Sequence, residues 1–141
     1  MAILKEYKAP YIIQFDKLGD PSSGYISVGQ SDKLPFEIKR VFWTYYTPES
    51  IVRGRHAHYL TEQILIAASG RIIVNVEKKA GEIESFILDN PSIGIYIPPN
   101  VWHTMQYSHT STQLVFASTF YDEKDYIRDH DEFKKIWAEK K

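Results

Sequence analysis

Short runs of alternating apolar and polar residues, broken by turn residues, fill most of this chain. Residues 25–30 alternate and predict a strand, after a loop at 19–24 rich in Gly, Pro and Ser. Residues 36–47 are dense in β-branched and aromatic side chains and predict a second strand, followed by a connection at 48–54. Further strands are predicted at 63–68, 72–76, 84–88, 93–97, 102–107 and 112–118. Turns at 69–71, 78–81, 89–92 and 98–100 separate them. Strands of this length and spacing, with no alternating helices, predict a sandwich or barrel. The pattern then changes. Over residues 122–140, Tyr126, Ile127, Phe133, Ile136 and Trp137 recur near helical spacing, which predicts one amphipathic helix.

Composition adds three points. Length, 141 residues, suits one domain, with the barrel over about 10–120 and the helix over about 122–140. Net charge is −1, which leaves no electrostatic footprint for nucleic acid or an anionic membrane. There is no cysteine, so disulfides and thiolate metal sites are excluded, and a reducing cytoplasm suits the chain. No stretch has the long apolar run of a secretory signal or a membrane span.

Chemistry concentrates around the histidines. His56 and His58 stand two apart, so a strand would turn both imidazoles to one side. Glu62 lies an even step further and shares that side if the strand continues. His103 follows the turn Pro98-Pro99-Asn100. Arg55 should face outward by the same parity. Arg53 precedes Gly54, where parity no longer predicts direction. A guanidinium there could hold a pyrophosphate through paired hydrogen bonds. His109 and His130 fall in polar surroundings and are expected at the surface.

Gly54, His56, His58, Glu62 and Gly70, then Gly94, Pro98, Asn100 and His103, resemble the two cupin motifs. Tyr107 stands where the second motif commonly ends in Asn. The fold expected is therefore all-β: a single-domain cupin, a jelly-roll β-barrel, with a C-terminal α-helix. Two chemistries are open to this residue set. His56, His58, Glu62 and His103 could hold a transition metal, as in a metal-dependent oxygenase or isomerase. Paired imidazoles could also run metal-free proton transfer near neutral pH.

Longer segments narrow the resemblance. Leu34-Pro35-Phe36-Glu37-Ile38-Lys39-Arg40-Val41, Arg53-Gly54-Arg55-His56-Ala57-His58, Pro99-Asn100-Val101-Trp102-His103 and the run from Ala117 to Arg128 are similar to the WxcM-like sugar 3,4-ketoisomerases. Those cupins act on dTDP-4-keto-6-deoxyglucose in deoxysugar biosynthesis. The resemblance implies an enzyme without a metal or other cofactor. Its catalytic residues would be His56 and His58, and its substrate a dTDP-linked 4-keto-6-deoxy sugar. It also implies a homodimer with exchanged N-terminal strands. Arg53, His103 and Glu62 are the expected substrate-binding residues, with Tyr25 and Trp102 as candidates to stack on the thymine. The early strand departs from the family, with Ser23 in place of Arg and Gln30 in place of Glu, which bears on the product's configuration at carbon 4. A non-catalytic sugar-binding cupin and a 3,5-epimerase are the remaining alternatives.

Overall fold

The computed structural model describes residues 8–79 and 81–138. Two antiparallel sheets face each other. One has the order β1 (Tyr11–Gln14), β9 (Ile93–Ile97), β6 (Gln63–Ser69), β11 (Thr112–Ala117) and β4 (Arg40–Tyr45). The other has the order β12 (Tyr126–Ile127), β5 (Val52–His58), β10 (Trp102–Tyr107), β7 (Ile72–Lys79) and β8 (Glu82–Leu88). A separate two-stranded arm pairs β2 (Asp16–Asp20) with β3 (Gly24–Val28). The architecture is the jelly-roll barrel expected of a cupin, with one helix, α1 (His130–Ala138), after it.

Burial explains the sequence pattern. Leu65, Ala67, Val74, Val76, Ile95, Ile97, Met105 and Val115 fill the space between the sheets. Ile64 and Ile66 point to the other face of β6 and are covered by Ile13, Phe15 and Tyr96. The strand is thus buried on both sides, which is why its residues form a continuous apolar run instead of alternating. Gly94 is needed under that cover. A Cβ there would lie 3.0 Å from Ile64 Cγ2 and 3.1 Å from Phe15 Cε2.

Half of the arm is legible in the sequence: the strand expected at 25–30 is β3, whereas no pattern announces β2. Residues 19–24 are the tip of a hairpin, where the Asp20 carboxylate accepts from the backbone N–H groups of Ser22 and Ser23 at 2.9 and 3.0 Å. The expected strand over 36–47 is shorter, beginning at Arg40, and the connection at 48–54 already contains the start of β5.

The segment 122–140 is not one helix. Asp122 caps a 3₁₀ turn at Glu123–Asp125, Tyr126 and Ile127 extend the second sheet, and among the described residues the α-helix is confined to His130–Ala138. The apolar pair Tyr126 and Ile127 imitates helical spacing, but its backbone pairs with the open edge of β5. The helix places Phe133 and Trp137 against Ala57 and Ile127, and the Trp137 indole donates to Asn100 O at 2.8 Å. Residues 139–141 lie outside the described residues.

Candidate active site

Strand β5 carries a bulge. His56 is opposite His103 on β10, but the next pair along is Gly54 with Thr104, so Arg55 has no partner. Gly54 and Arg55 have φ of 87° and 57°. Gly54 meets two demands at once, since an added Cβ would stand 2.8 Å from His103 O. The inserted residue resets the strand's parity. Arg53, three residues before His56, therefore lines the same cavity as His56. Arg55 is exposed, as expected, but as the bulged residue.

The cavity has a volume of about 250 Å³. Pockets for drug-sized ligands start near 300 Å³, so this one suits a fragment such as a sugar, with the rest of a larger ligand at its mouth. His56, His103, Arg53, Phe42, Tyr126 and Arg128 are among its walls. The His56 ring centroid lies 5.0 Å from that of His58 and 4.7 Å from that of His103. His58 sits behind this front, 2% exposed, with its Nε2 lacking a hydrogen-bond partner.

Backbone carbonyls fix two of the rings. His56 Nδ1 is 3.0 Å from Gly54 O, and His103 Nδ1 is 3.1 Å from Val101 O. A carbonyl only accepts, so each Nδ1 carries the proton and each neutral ring presents a lone pair at Nε2. All three imidazoles are held neutral. Burial pushes His56 down to about 4, partly offset by the Gly54 hydrogen bond. Burial, and then the charge of His56, pushes His103 down to about 3. Burial lowers His58 furthest, to about 2, followed by the charges of His103 and His56. The site is a set of unprotonated bases at neutral pH.

The turn and strand after the barrel complete the mouth. The Asp125 carboxylate accepts from the backbone N–H groups of Leu60 and Thr61 at 2.8 and 3.1 Å, tying the 3₁₀ turn to the end of β5. Tyr126 is then the cross-strand partner of His58, and its ring lies 5.1 Å from His56 and 4.5 Å from His58. Arg128 lies over the Tyr126 ring at 4.4 Å and makes a two-point bond to Glu123 at 2.6 and 3.0 Å. Hydrogen bonds from Arg128 and then Tyr121 hold the Glu123 carboxyl at about 2. By sequence Tyr126 belongs to the helical stripe and Arg128 to the family segment; the pairing of Tyr126 and Ile127 with β5, which no local pattern announces, brings both to the site.

Three expected site residues are elsewhere. Glu62 does not share the face of the histidines, because β5 ends at His58 and the chain turns. Its carboxylate accepts from Tyr96 OH and lines a second cavity with Tyr59 and Asn100. Trp102 precedes His103 and so points to the opposite face, under the helix, with its ring 5.7 Å from Phe133. Tyr25 lies on the arm, 52% exposed, with Lys17 Nζ 4.1 Å from its ring, and does not line the cavity. Of the two histidines expected at the surface, His109 is exposed, whereas His130 is half-buried and bonds Glu77 at 3.0 Å.

The nitrogen atoms of His56, His58 and His103 lie within 4.8 Å of one another, a donor set that a divalent transition metal accepts. With Glu62 turned away, the carboxylate of the four-ligand cupin set is missing from this group.

Comparison with known proteins gives the same direction. Residues 8–138 match the family model described as FdtA: WxcM-like, C-terminal. The chain belongs to that family. Its relatives in the WxcM-like family include the TDP-4-oxo-6-deoxy-alpha-D-glucose-3,4-oxoisomerase of Aneurinibacillus thermoaerophilus, 38% identical over 128 residues, which are 90% of this chain and 91% of that protein. A solved 3,4-ketoisomerase from Helicobacter canadensis superposes with a TM-score of 0.87 at 36% identity, covering 94% of this chain and 99% of its own. The sugar 3,4-ketoisomerase of Thermoanaerobacterium thermosaccharolyticum, solved in complex with TDP, gives a TM-score of 0.87 at 32% identity over 92% and 95%.

Proposed function

We propose that this chain is a sugar-nucleotide 3,4-ketoisomerase, converting a TDP-linked 4-keto-6-deoxy-glucose to the 3-keto isomer in deoxysugar biosynthesis. The observation that carries it is the cluster of neutral imidazoles at a sugar-sized cavity, His56 in front and His58 behind, in a chain that is 38% identical to an oxoisomerase of this kind.

Moving the carbonyl requires a base at carbon 3, whose proton is acidified by the adjacent ketone. His56 has its Nε2 lone pair free and lines the cavity, so it takes that proton. The intermediate is an enediolate. His56 returns a proton at carbon 4. His58 takes up and gives back the proton exchanged between the two oxygens. His103 holds a sugar hydroxyl through its Nε2. Arg53 and Arg128 lie on the cavity wall, where guanidinium groups pair with a pyrophosphate. That negative charge favours the imidazolium of His56 and so raises its basicity when substrate is bound.

The same reading makes the barrel and helix one working unit in the cytoplasm, paired as a homodimer through exchanged N-terminal strands. Support comes from the arm, whose Leu18, Tyr25 and Ile26 are 59%, 52% and 66% exposed in the single chain. An exchanged arm would also carry Tyr25 toward a neighbouring cavity. Among the described residues no helix is long and apolar enough to cross a membrane.

The three-histidine cluster favours a second reading, a metal-dependent cupin isomerase. One experiment separates them. Metal-stripped protein is incubated with TDP-4-keto-6-deoxyglucose in heavy water and followed by proton NMR. The proposal expects a 3-keto product carrying solvent deuterium. It also expects His56→Asn and His58→Asn to lose most turnover while binding TDP normally. Exchange that returns only with added metal supports the second reading. No exchange in either case refutes both.

A further inference from the structure

The hydrogen-bond inventory of the cavity leaves one role unfilled. As carbon 3 loses its proton, charge develops on the oxygen at carbon 4, and that oxygen needs a donor. Neither His56 nor His103 can supply one while neutral, since each has committed its only N–H to a backbone carbonyl, and His58, buried behind them, enters the exchange as the acceptor of the oxygen-3 proton. Both face the cavity as acceptors. The donor must stand beside the base, because the oxygen and the abstracted proton belong to adjacent sugar carbons.

Tyr126 meets those conditions. It lines the cavity, and its ring lies 5.1 Å from His56 and 4.5 Å from His58. Its backbone is held by pairing with His58, and the Asp125 carboxylate anchors the preceding turn. Its hydroxyl makes no hydrogen bond within the described residues, whereas Tyr59, Tyr96, Tyr107 and Tyr121 all spend theirs on a protein acceptor. Arg128 is a poorer candidate, since its Nε and Nη2 already bond Glu123. Arg53 stands beyond the bulge, opposite Met105, further along β5 than the base.

We propose that the Tyr126 hydroxyl is a catalytic donor, binding the carbon-4 oxygen of the sugar and stabilising it as the enediolate forms. This rests on the ketoisomerase reading above. No proton need leave the phenol: its O–H bond stays intact while the hydrogen bond to oxygen strengthens with the developing charge. Such preorganised donors are commonly worth about 10²–10³-fold in kcat.

The test is Tyr126→Phe, which keeps the ring against the histidines and Arg128. Exchange of the carbon-3 proton and kcat should both fall by about 10²–10³-fold, with KM and TDP affinity nearly unchanged. Wild-type rates in Tyr126→Phe overturn the proposal and leave the ketoisomerase reading intact. So does a loss seen only in Tyr126→Leu, which would mean that the ring merely packs the histidines. An effect on KM alone also overturns it. Absence of exchange in the wild type would defeat the underlying reading and this inference together.

Discussion

Two buried imidazoles and a third that is half-buried make a sharp demand on acid stability. In the unfolded chain a histidine titrates near its ordinary 6.5, whereas in the fold His56, His103 and His58 are pushed down to about 4, 3 and 2. Their folded values are depressed, so the unfolded state binds more protons over a window from about 6.5 down to about 4 for His56, about 3 for His103 and about 2 for His58. Stability is therefore full above that window and is lost as pH falls through it. Between about pH 7 and about pH 5, each histidine should cost about 2 kcal/mol, or about 6 kcal/mol for the three together. That is a large part of the roughly 5–15 kcal/mol that holds an ordinary domain folded. The assay is urea unfolding followed by tryptophan fluorescence, run at several pH values on the wild type and on His103→Asn. With a urea slope of about 1–3 kcal/mol per molar, the loss should move the wild-type midpoint by about 2 M or more. The variant should lose about 2 kcal/mol less than the wild type over the same interval. Equal losses in both proteins would refute the claim that His103 is held neutral by burial.

The bulge and the arm each give a further expectation. Gly54→Ala forces a Cβ to within 2.8 Å of His103 O at a φ of 87°, so it should cost about 1–3 kcal/mol in thermal unfolding and lower turnover by displacing His103 or Arg53. A melting point and kcat equal to those of the wild type would show that the strand does not need the glycine. For the exchanged dimer, light scattering should give twice the 16.4 kDa chain mass, and Leu18→Asp combined with Ile26→Asp should drive it to one. A wild type that runs as a monomer would refute the exchange.

Much of this molecule was readable from residue order. The strands near 72–76, 84–88, 93–97, 102–107 and 112–118 are recovered because each carries its own alternation or turn signals. His56 and His58 share a side as strand parity requires. The failures have one physical origin: parity and periodicity are local, and a tertiary partner can override them. Glu62 kept the even step but lost the strand, since Asp125 captures the turn in between. Arg53, to which parity gives no direction, lines the cavity as the resemblance implied, because Arg55 is inserted at the bulge. Tyr126 and Ile127 copied helical spacing while bonding to a strand edge more than sixty positions earlier in the chain. Strand β2 carries no β-branched residue to announce it, whereas its partner β3 is the strand expected at 25–30, and the two pair with each other away from both sheets.

The placement of Tyr126 and Arg128 also sets an order of assembly. A ribosome makes residues 121–128 after every strand that bears a histidine of the cluster. Until that stretch emerges and pairs with β5, the nascent barrel has an open strand edge beside His56 and His58. The part of the cavity wall that holds Tyr126 and Arg128 is thus the last to be made, after every other strand of the barrel.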